Sequence, residues 1–537
     1  MTPTSSLSLR QRGEGRGEGP AITVEESALL VLLALLLSGC TAADALFCDT
    51  RGCTFSTRDW ELLQSLAGLP EQPPDDRSNK FANDPAAAAL GQALYFDTRT
   101  SGTATLVDTL GRPVPYARAP KGQPTGLACV SCHDPRRGGA DFTSIPNTVS
   151  VGAGWYDVNA QPTVNAAYYG IVYWNGRNDS LWAQIVAVME SEVSMASTRL
   201  QVAWLLQDGY RGAYDAVFRE TPLPLEGTSA QLRAQLDLVT GQCTLVAGAC
   251  PTPCRNVAST PASCWPRFPL AGKPGAVPGC QPDSLTEPFH DAFDCMEARD
   301  REAITRVLVN FSKAVAAYEQ RLVSRDSAFD RFVAEGPASE LLTPAQRRGA
   351  RLFVGKASCI DCHNTPLLSD SQFHNVGAPQ LGPAVPTEAD CPAGGRCDCV
   401  AGRNCLPWGA RDGLAKLRTN AFRRDSQWSD DATDTSRLGY VQRELGPELQ
   451  GAWRTPSLRD VELTPPYMHD GVYPTLEAVV AAYDRGGASA GVSGTPGVQL
   501  KPLGLTAQDQ SDLVTFLRSL TGAPLPAALT SSPGQPP

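Results

Sequence analysis

The chain has 537 residues, 17 cysteines, five histidines and a formal net charge of −10. At about 150 residues per domain this is room for two to four domains with real cores, and 42% hydrophobic content excludes a wholly disordered chain. There is no run of 18 apolar residues to span a bilayer, no excess of basic charge to grip nucleic acid, and too much cysteine for a reduced cytosolic enzyme.

Residues Ala28–Leu37 form a ten-residue apolar run, the length of a signal-peptide core. It ends in Leu37-Ser38-Gly39-Cys40, which resembles a bacterial lipobox. Residues 1–39 therefore read as a lipoprotein-type signal, Cys40 as a lipid-anchored first residue, and the chain as periplasmic, where disulfides are permitted. Residues 40–84 are a mixed leader. A first folded unit spans 85–240. Residues 241–300 hold six cysteines among prolines and glycines and read as a disulfide-stapled insertion. Residues 301–342 begin with Ile304, Leu308, Phe311, Val315, Tyr318 and Leu322, a 4-3-4-3-4 spacing that predicts one face of a long helix returning to the first unit. A second unit spans 343–523, with a second cysteine-rich loop at 385–406. Near its end Thr506 is placed to cap a helix that buries Leu513, Phe516, Leu517 and Leu520. The Pro/Ser-rich tail 524–537 reads as disordered. No run of alternating strands appears, so the fold class is mainly α.

One motif occurs twice. Cys129-Val130-Ser131-Cys132-His133 and Cys359-Ile360-Asp361-Cys362-His363 are both C-x-x-C-H. Two thiols at this spacing can form thioethers with the vinyl groups of one haem, while the next imidazole ligates its iron. A zinc ribbon also uses C-x-x-C pairs. Histidine at the same offset in both copies, from only five in the chain, favours two covalently bound c-type haems. Leu90-Gly91-Gln92-Ala93-Leu94-Tyr95-Phe96 and Arg348-Gly349-Ala350-Arg351-Leu352-Phe353-Val354 precede the two motifs. A Gly-x-x-Leu-aromatic helix thus leads into each, the mark of an internal duplication. The architecture is two cytochrome c-like haem domains expanded by the insertions.

Tyr173-Trp174-Asn175-Gly176-Arg177-Asn178-Asp179, Phe373-His374-Asn375-Val376-Gly377, Arg454-Thr455-Pro456-Ser457-Leu458-Arg459 and Pro466-Tyr467-Met468-His469 resemble segments of the bacterial di-haem cytochrome c peroxidases and MauG-type proteins. The resemblance makes His133 and His363 the proximal iron ligands. Ala153 stands where the peroxidases carry a distal histidine, which implies an open position at the first haem. Tyr483 stands at the distal-ligand position of the second haem, as in MauG-type members, with Met468 as the alternative ligand. Trp174 matches the residue that relays electrons between haems, and Gln184 one that lines the distal pocket. The family's acid/base glutamate is replaced by Ser194, which an unperturbed hydroxyl cannot imitate near neutral pH; Glu192 is the nearby carboxylate. Asn159, Thr464 and Pro466 match positions of an interdomain calcium site.

Three functions follow as expectations. The first is an exported peroxidase that takes hydrogen peroxide at the N-terminal haem and electrons from a donor protein. The second is a MauG-type oxidase of a protein partner. The third is an electron-transfer or sensing cytochrome without catalysis. No nucleic acid partner is expected. Four cysteines assigned to haems and one to lipid leave twelve of the 17, an even number available for disulfides.

Overall fold

The computed structural model describes residues 55–105, 118–141, 150–231 apart from 155 and 157, 267–270, 272, 293–380, 409–488 and 491–534, with short strands at 48–49, 52–53, 397–399 and 405–407. Twelve α-helices occur among the described residues. They are α1 (Thr57–Leu66), α2 (Pro85–Tyr95), α3 (Leu181–Met189), α4 (Arg199–Gly209), α5 (Arg211–Val217), α6 (Ala298–Glu319), α7 (Ala328–Glu335), α8 (Pro344–Val354), α9 (Ala410–Thr419), α10 (Leu438–Gln442), α11 (Leu476–Asp484) and α12 (Ala507–Arg518). Among the described residues, strands are confined to three antiparallel pairs of two or three residues each: Cys48–Asp49 with Gly52–Cys53, Phe373–His374 with Trp453–Arg454, and Cys397–Cys399 with Cys405–Pro407. The mainly α expectation holds.

The residues around the first C-x-x-C-H motif, called the first domain below, are built on the crossing of α2 and α6. Asp84 caps α2 through the Ala86 and Ala87 N–H groups, and Pro85 fits the first helical position, where no N–H is needed. Gly91 lets the two backbones touch: a Cβ there would lie 1.9 Å from the Ala314 carbonyl oxygen. The predicted face of α6 is buried throughout, from Ile304 to Tyr318, with Leu322 just beyond the helix. Helices α3 and α4 pack against α6 and complete this core. The second domain repeats the device with α8 and α12. Here Gly349 faces the Asp512 carbonyl oxygen, 2.1 Å from an added Cβ, and Phe353 meets Phe516 edge-on at 5.4 Å. Thr506 caps α12 as expected, accepting from the Asp509 N–H at 3.1 Å.

The predicted disorder of the tail is overturned for residues 524–534. Gln92 donates to the Ala528 and Ser531 carbonyls at 2.6 and 3.0 Å, and the Tyr318 hydroxyl donates to the Leu529 carbonyl. The tail is thus docked on α2 and α6 of the first domain; its Pro/Ser composition disguised backbone acceptors that α2 and α6 use. Ahead of the first domain, Trp60 packs edge-on against Phe332 of α7 at 5.5 Å. The Gly68 N–H donates to Asp330, and Arg459 of the second domain pairs with Asp330 at 2.8 Å.

The signal segment, Cys40 and nearly all of both insertions lie outside the described residues. Cys295, at the end of the first insertion, is buried and held in a disulfide. No described helix is long and apolar enough to cross a membrane.

Candidate haem sites and the junction between them

Both C-x-x-C-H motifs begin as a single 3-10 turn, Cys129–Ser131 and Cys359–Asp361. In each the histidine N–H donates to the carbonyl of the first cysteine at 3.0 Å, so both thiols and the imidazole lie on one short turn. All four thiols are free. Burial pushes Cys129, Cys132 and Cys359 up to about 12, which keeps them as thiols. His133 Nδ1 is bonded to the Gly139 carbonyl at 3.1 Å and His363 Nδ1 to the Leu368 carbonyl at 2.7 Å. A metal-ligating imidazole is oriented in this way through its other nitrogen. Burial holds both rings below the ordinary imidazole range, hence neutral, as an iron ligand must be. The two motifs line separate cavities, so their cysteines do not form one four-sulfur zinc site. These residues fit two covalently attached haems.

The first cavity is lined by Cys129, Cys132 and His133 together with Trp174, Gln184, Ser194 and Glu319. Gln184 projects from α3, which starts at a Ser180 cap, and lies beside the Tyr173 hydroxyl, which donates to the Gln184 carbonyl at 3.3 Å. Ser194 is brought in by a tight turn in which the Ser191 carbonyl accepts from the Ser194 and Ala196 N–H groups. That same turn keeps Glu192 out of the lining, so the structure does not bring this candidate to the site. Glu190 is occupied by Arg199 at 2.6 Å. Ala153 is fully buried, donates its N–H to the Ser194 carbonyl and stays behind the wall. The carboxylate that does line the cavity is Glu319, at the end of α6. It is 5% exposed, has no hydrogen-bond partner among the described residues, and is pushed up to about 8 by burial. Sequence reading missed it because the α6 periodicity flags apolar positions, and Glu319 sits beside Tyr318 on their margin.

The second cavity is lined by Cys359, Cys362 and His363 with Met468 and Tyr483. Tyr483 lies on the inner face of α11, and burial raises it first, ahead of the neighbouring Cys362 and Cys359 sulfurs. Its hydroxyl has no partner among the described residues. His469 is engaged elsewhere: Nε2 meets the Gln380 side-chain oxygen at 2.6 Å, and the ring stacks on Trp453 at 4.0 Å and 14°. His374 pairs with Asp370 at 2.7 Å.

Trp174 lines both cavities. It is 8% exposed, packs with Trp453, and donates Nε1–H to the Asn159 carbonyl at 2.9 Å. Asn159 also donates its backbone N–H to the His469 carbonyl at 2.6 Å and its side-chain amide to the Pro466 carbonyl at 3.1 Å. These residues do not fit the expected calcium ion. Asn159, Thr464 and Pro466 offer no carboxylate, and the Asn159 amide already spans to the carbonyl a cation would need.

A family model for di-haem cytochrome c peroxidases matches residues 85–237. Over that stretch the chain is similar to the di-haem cytochrome c peroxidase and MauG family. Full-length relatives agree. The cytochrome-c peroxidase IdrP1 of Denitromonas iodatirespirans is 28% identical across 91% of this chain and 93% of the relative. The methylamine utilization protein MauG of Methylorubrum extorquens is 24% identical across 89% and 90%, and a cytochrome c551 peroxidase of Pseudomonas aeruginosa 25% across 93% and 94%. Among solved structures, a MauG-like protein associated with microbial copper homeostasis superposes with a TM-score of 0.49 at 21% identity, covering 87% of this chain and 98% of that one. Members of the di-haem peroxidase family are oxidoreductases, and the family implies two c-type haems for this chain.

Proposed function

We propose that this protein is an exported, lipid-anchored periplasmic oxidoreductase that reacts with hydrogen peroxide at its N-terminal haem and passes electrons by way of the C-terminal haem. The observation that carries the reading is Trp174, one indole lining two cavities that each contain a C-x-x-C-H turn. Haem iron, when bound, supplies the redox chemistry of peroxide cleavage. The chain's own residues do the rest. Cys129, Cys132 and His133 hold the first haem; Cys359, Cys362, His363 and Tyr483 hold the second. Ala153 provides no competing ligand, so the first cavity keeps room for peroxide. Gln184 offers an amide in the lining to orient it. Ser194 cannot take the peroxide proton. Glu319 is the carboxylate of that lining, and a group held near 8 exchanges a proton close to neutral pH.

Tyr483 favours a second reading, a MauG-type oxidase of a protein partner, because its phenol stands in the second cavity alongside the Met468 thioether. One experiment tests both. Stoichiometric hydrogen peroxide is added to the purified, fully oxidised protein while the Soret and near-infrared bands are followed. A rapid change without prior reduction is expected; no change in either band would sink the peroxide-dependent function. Electrons then drawn from a small reduced cytochrome mark a peroxidase, and cross-linking or oxidation of a protein partner marks the MauG-type activity.

A further inference from the structure

Five residues line both cavities: Asn159, Ala160, Pro162, Trp174 and Arg454. Four are uncharged. Arg454 carries a permanent positive charge and is 3% exposed.

The other buried guanidiniums have carboxylate partners. Arg424 pairs with Asp434 at 2.6 Å and Asp76 at 3.0 Å, and Arg459 pairs with Asp330 at 2.8 Å. Arg454 pairs with no described carboxylate. Nε reaches the Tyr173 carbonyl at 3.4 Å and Nη1 the Thr455 carbonyl at 3.3 Å, both at the long end for a hydrogen bond. The guanidinium lies over the Tyr169 ring at 3.6 Å. Nη2 has no partner among the described residues. Its backbone is fixed, since the Arg454 N–H donates to the Trp174 carbonyl at 2.8 Å and the residue pairs with Phe373 across the small sheet. A desolvated guanidinium held this firmly with a free edge is strongly unfavourable unless an anion completes it. The Asn159 amide donates to the Pro466 carbonyl at 3.1 Å beside it.

We propose that Arg454 is the counter-ion for haem propionate carboxylates at the junction, and that its charge sets the reduction potentials of both haems together. The proposal rests on the two-haem reading. The charge-assisted bond fills the unused Nη2 edge, while Tyr169 covers the opposite face. A positive charge beside a haem disfavours the ferric state, which bears one charge more than the ferrous, and so raises the potential. As the charged residue common to both linings, Arg454 acts on the two centres with the same sign.

The test compares Arg454→Gln and Arg454→Lys by spectroelectrochemical titration of the haem-loaded protein, with haem content measured separately. In the Gln variant both midpoints are expected to fall; in the Lys variant, which keeps the charge, they return toward wild type. Unchanged midpoints in a fully loaded Gln variant overturn the proposal. So do equal shifts in both variants, which would mark a packing role. Midpoints that follow added phosphate would assign the edge to a free anion and also overturn it. If the Gln variant does not accumulate, the Lys variant decides: near-wild-type midpoints support the proposal and a drop at both haems refutes it. A wild-type chain that binds fewer than two haems refutes the two-haem reading, and this proposal with it.

Discussion

Gly91 and Gly349 give a sharp test of how the two haem domains are held. Each sits where two helices cross backbone to backbone. A methyl group on Gly91 would lie 1.9 Å from the Ala314 oxygen, 2.5 Å from its carbonyl carbon and 2.9 Å from the Val315 Cα. On Gly349 it would lie 2.1 Å from the Asp512 oxygen and 2.7 Å from the Phe516 Cβ. Ordinary contact begins near 3.4 Å, so the helices must part by roughly 1 Å or more, and backbone cannot rotate aside as a flexible side chain can. Overpacking of this kind costs about 3 kcal/mol. Alanine returns about 1 kcal/mol through helix propensity. The net loss is about 2 kcal/mol for each variant, a melting temperature lower by about 4–8 °C for a domain of this size. Thermal unfolding followed separately at the two haems measures it, and each Gly→Ala change should lower the transition of its own domain. Gly212→Ala is the control: it lies in α5, and nothing stands within 4 Å of an added Cβ. That variant should match or exceed wild type. If Gly91→Ala melts with Gly212→Ala, close crossing is not what holds α2 to α6.

Three further outcomes follow from the sites. Glu319 has a folded-state pKa of about 8, raised by burial from an ordinary 4.5. Its favourable contribution is therefore complete below pH 4.5 and is lost as pH rises through 8, because the unfolded chain ionises first. Glu319→Gln should gain stability over wild type by a few kcal/mol, to order of magnitude, between pH 5 and 9 in urea titrations, and a constant gap would refute the burial argument. Tyr483→Phe should alter the low-spin haem signal in electron paramagnetic resonance; an unchanged signal would show that another group, such as Met468, is the ligand. Treatment with a calcium chelator should leave the haem bands and the peroxide response as they were, and one tightly held calcium per chain in elemental analysis would refute the Asn159–Pro466 clasp.

Much of this was legible in the sequence because local chemistry dictates it. The C-x-x-C-H turns, the Gly-x-x-Leu-aromatic helices, the α6 face and the Thr506 cap depend on residues close in the chain, and each occupies its expected place. Trp174, Gln184, Ser194 and Tyr483 were placed by resemblance, and the structure sets all four on cavity walls. What was not legible depends on long-range partners. Glu192 and Ser194 are two residues apart, yet one turn sends only Ser194 inward. Asn159 looked like a cation ligand until Pro466, over 300 residues away, proved to be its direct partner. Arg454 was visible as a motif residue, but that no described carboxylate pairs with it depends on residues far apart in the chain.

The placement of the described segments that flank the two domains has a consequence for dissection. Trp60 and Gly68, which precede the first haem domain, are anchored on α7 at Phe332 and Asp330, where Arg459 of the second domain also binds. Ala528, Leu529 and Ser531, which follow the second domain, are anchored on the first. Both flanking segments are thereby tied into contacts that join the two domains. A protease nick between the haem domains would therefore yield two fragments that remain together. Neither half, expressed alone, would carry all the surfaces it needs to close.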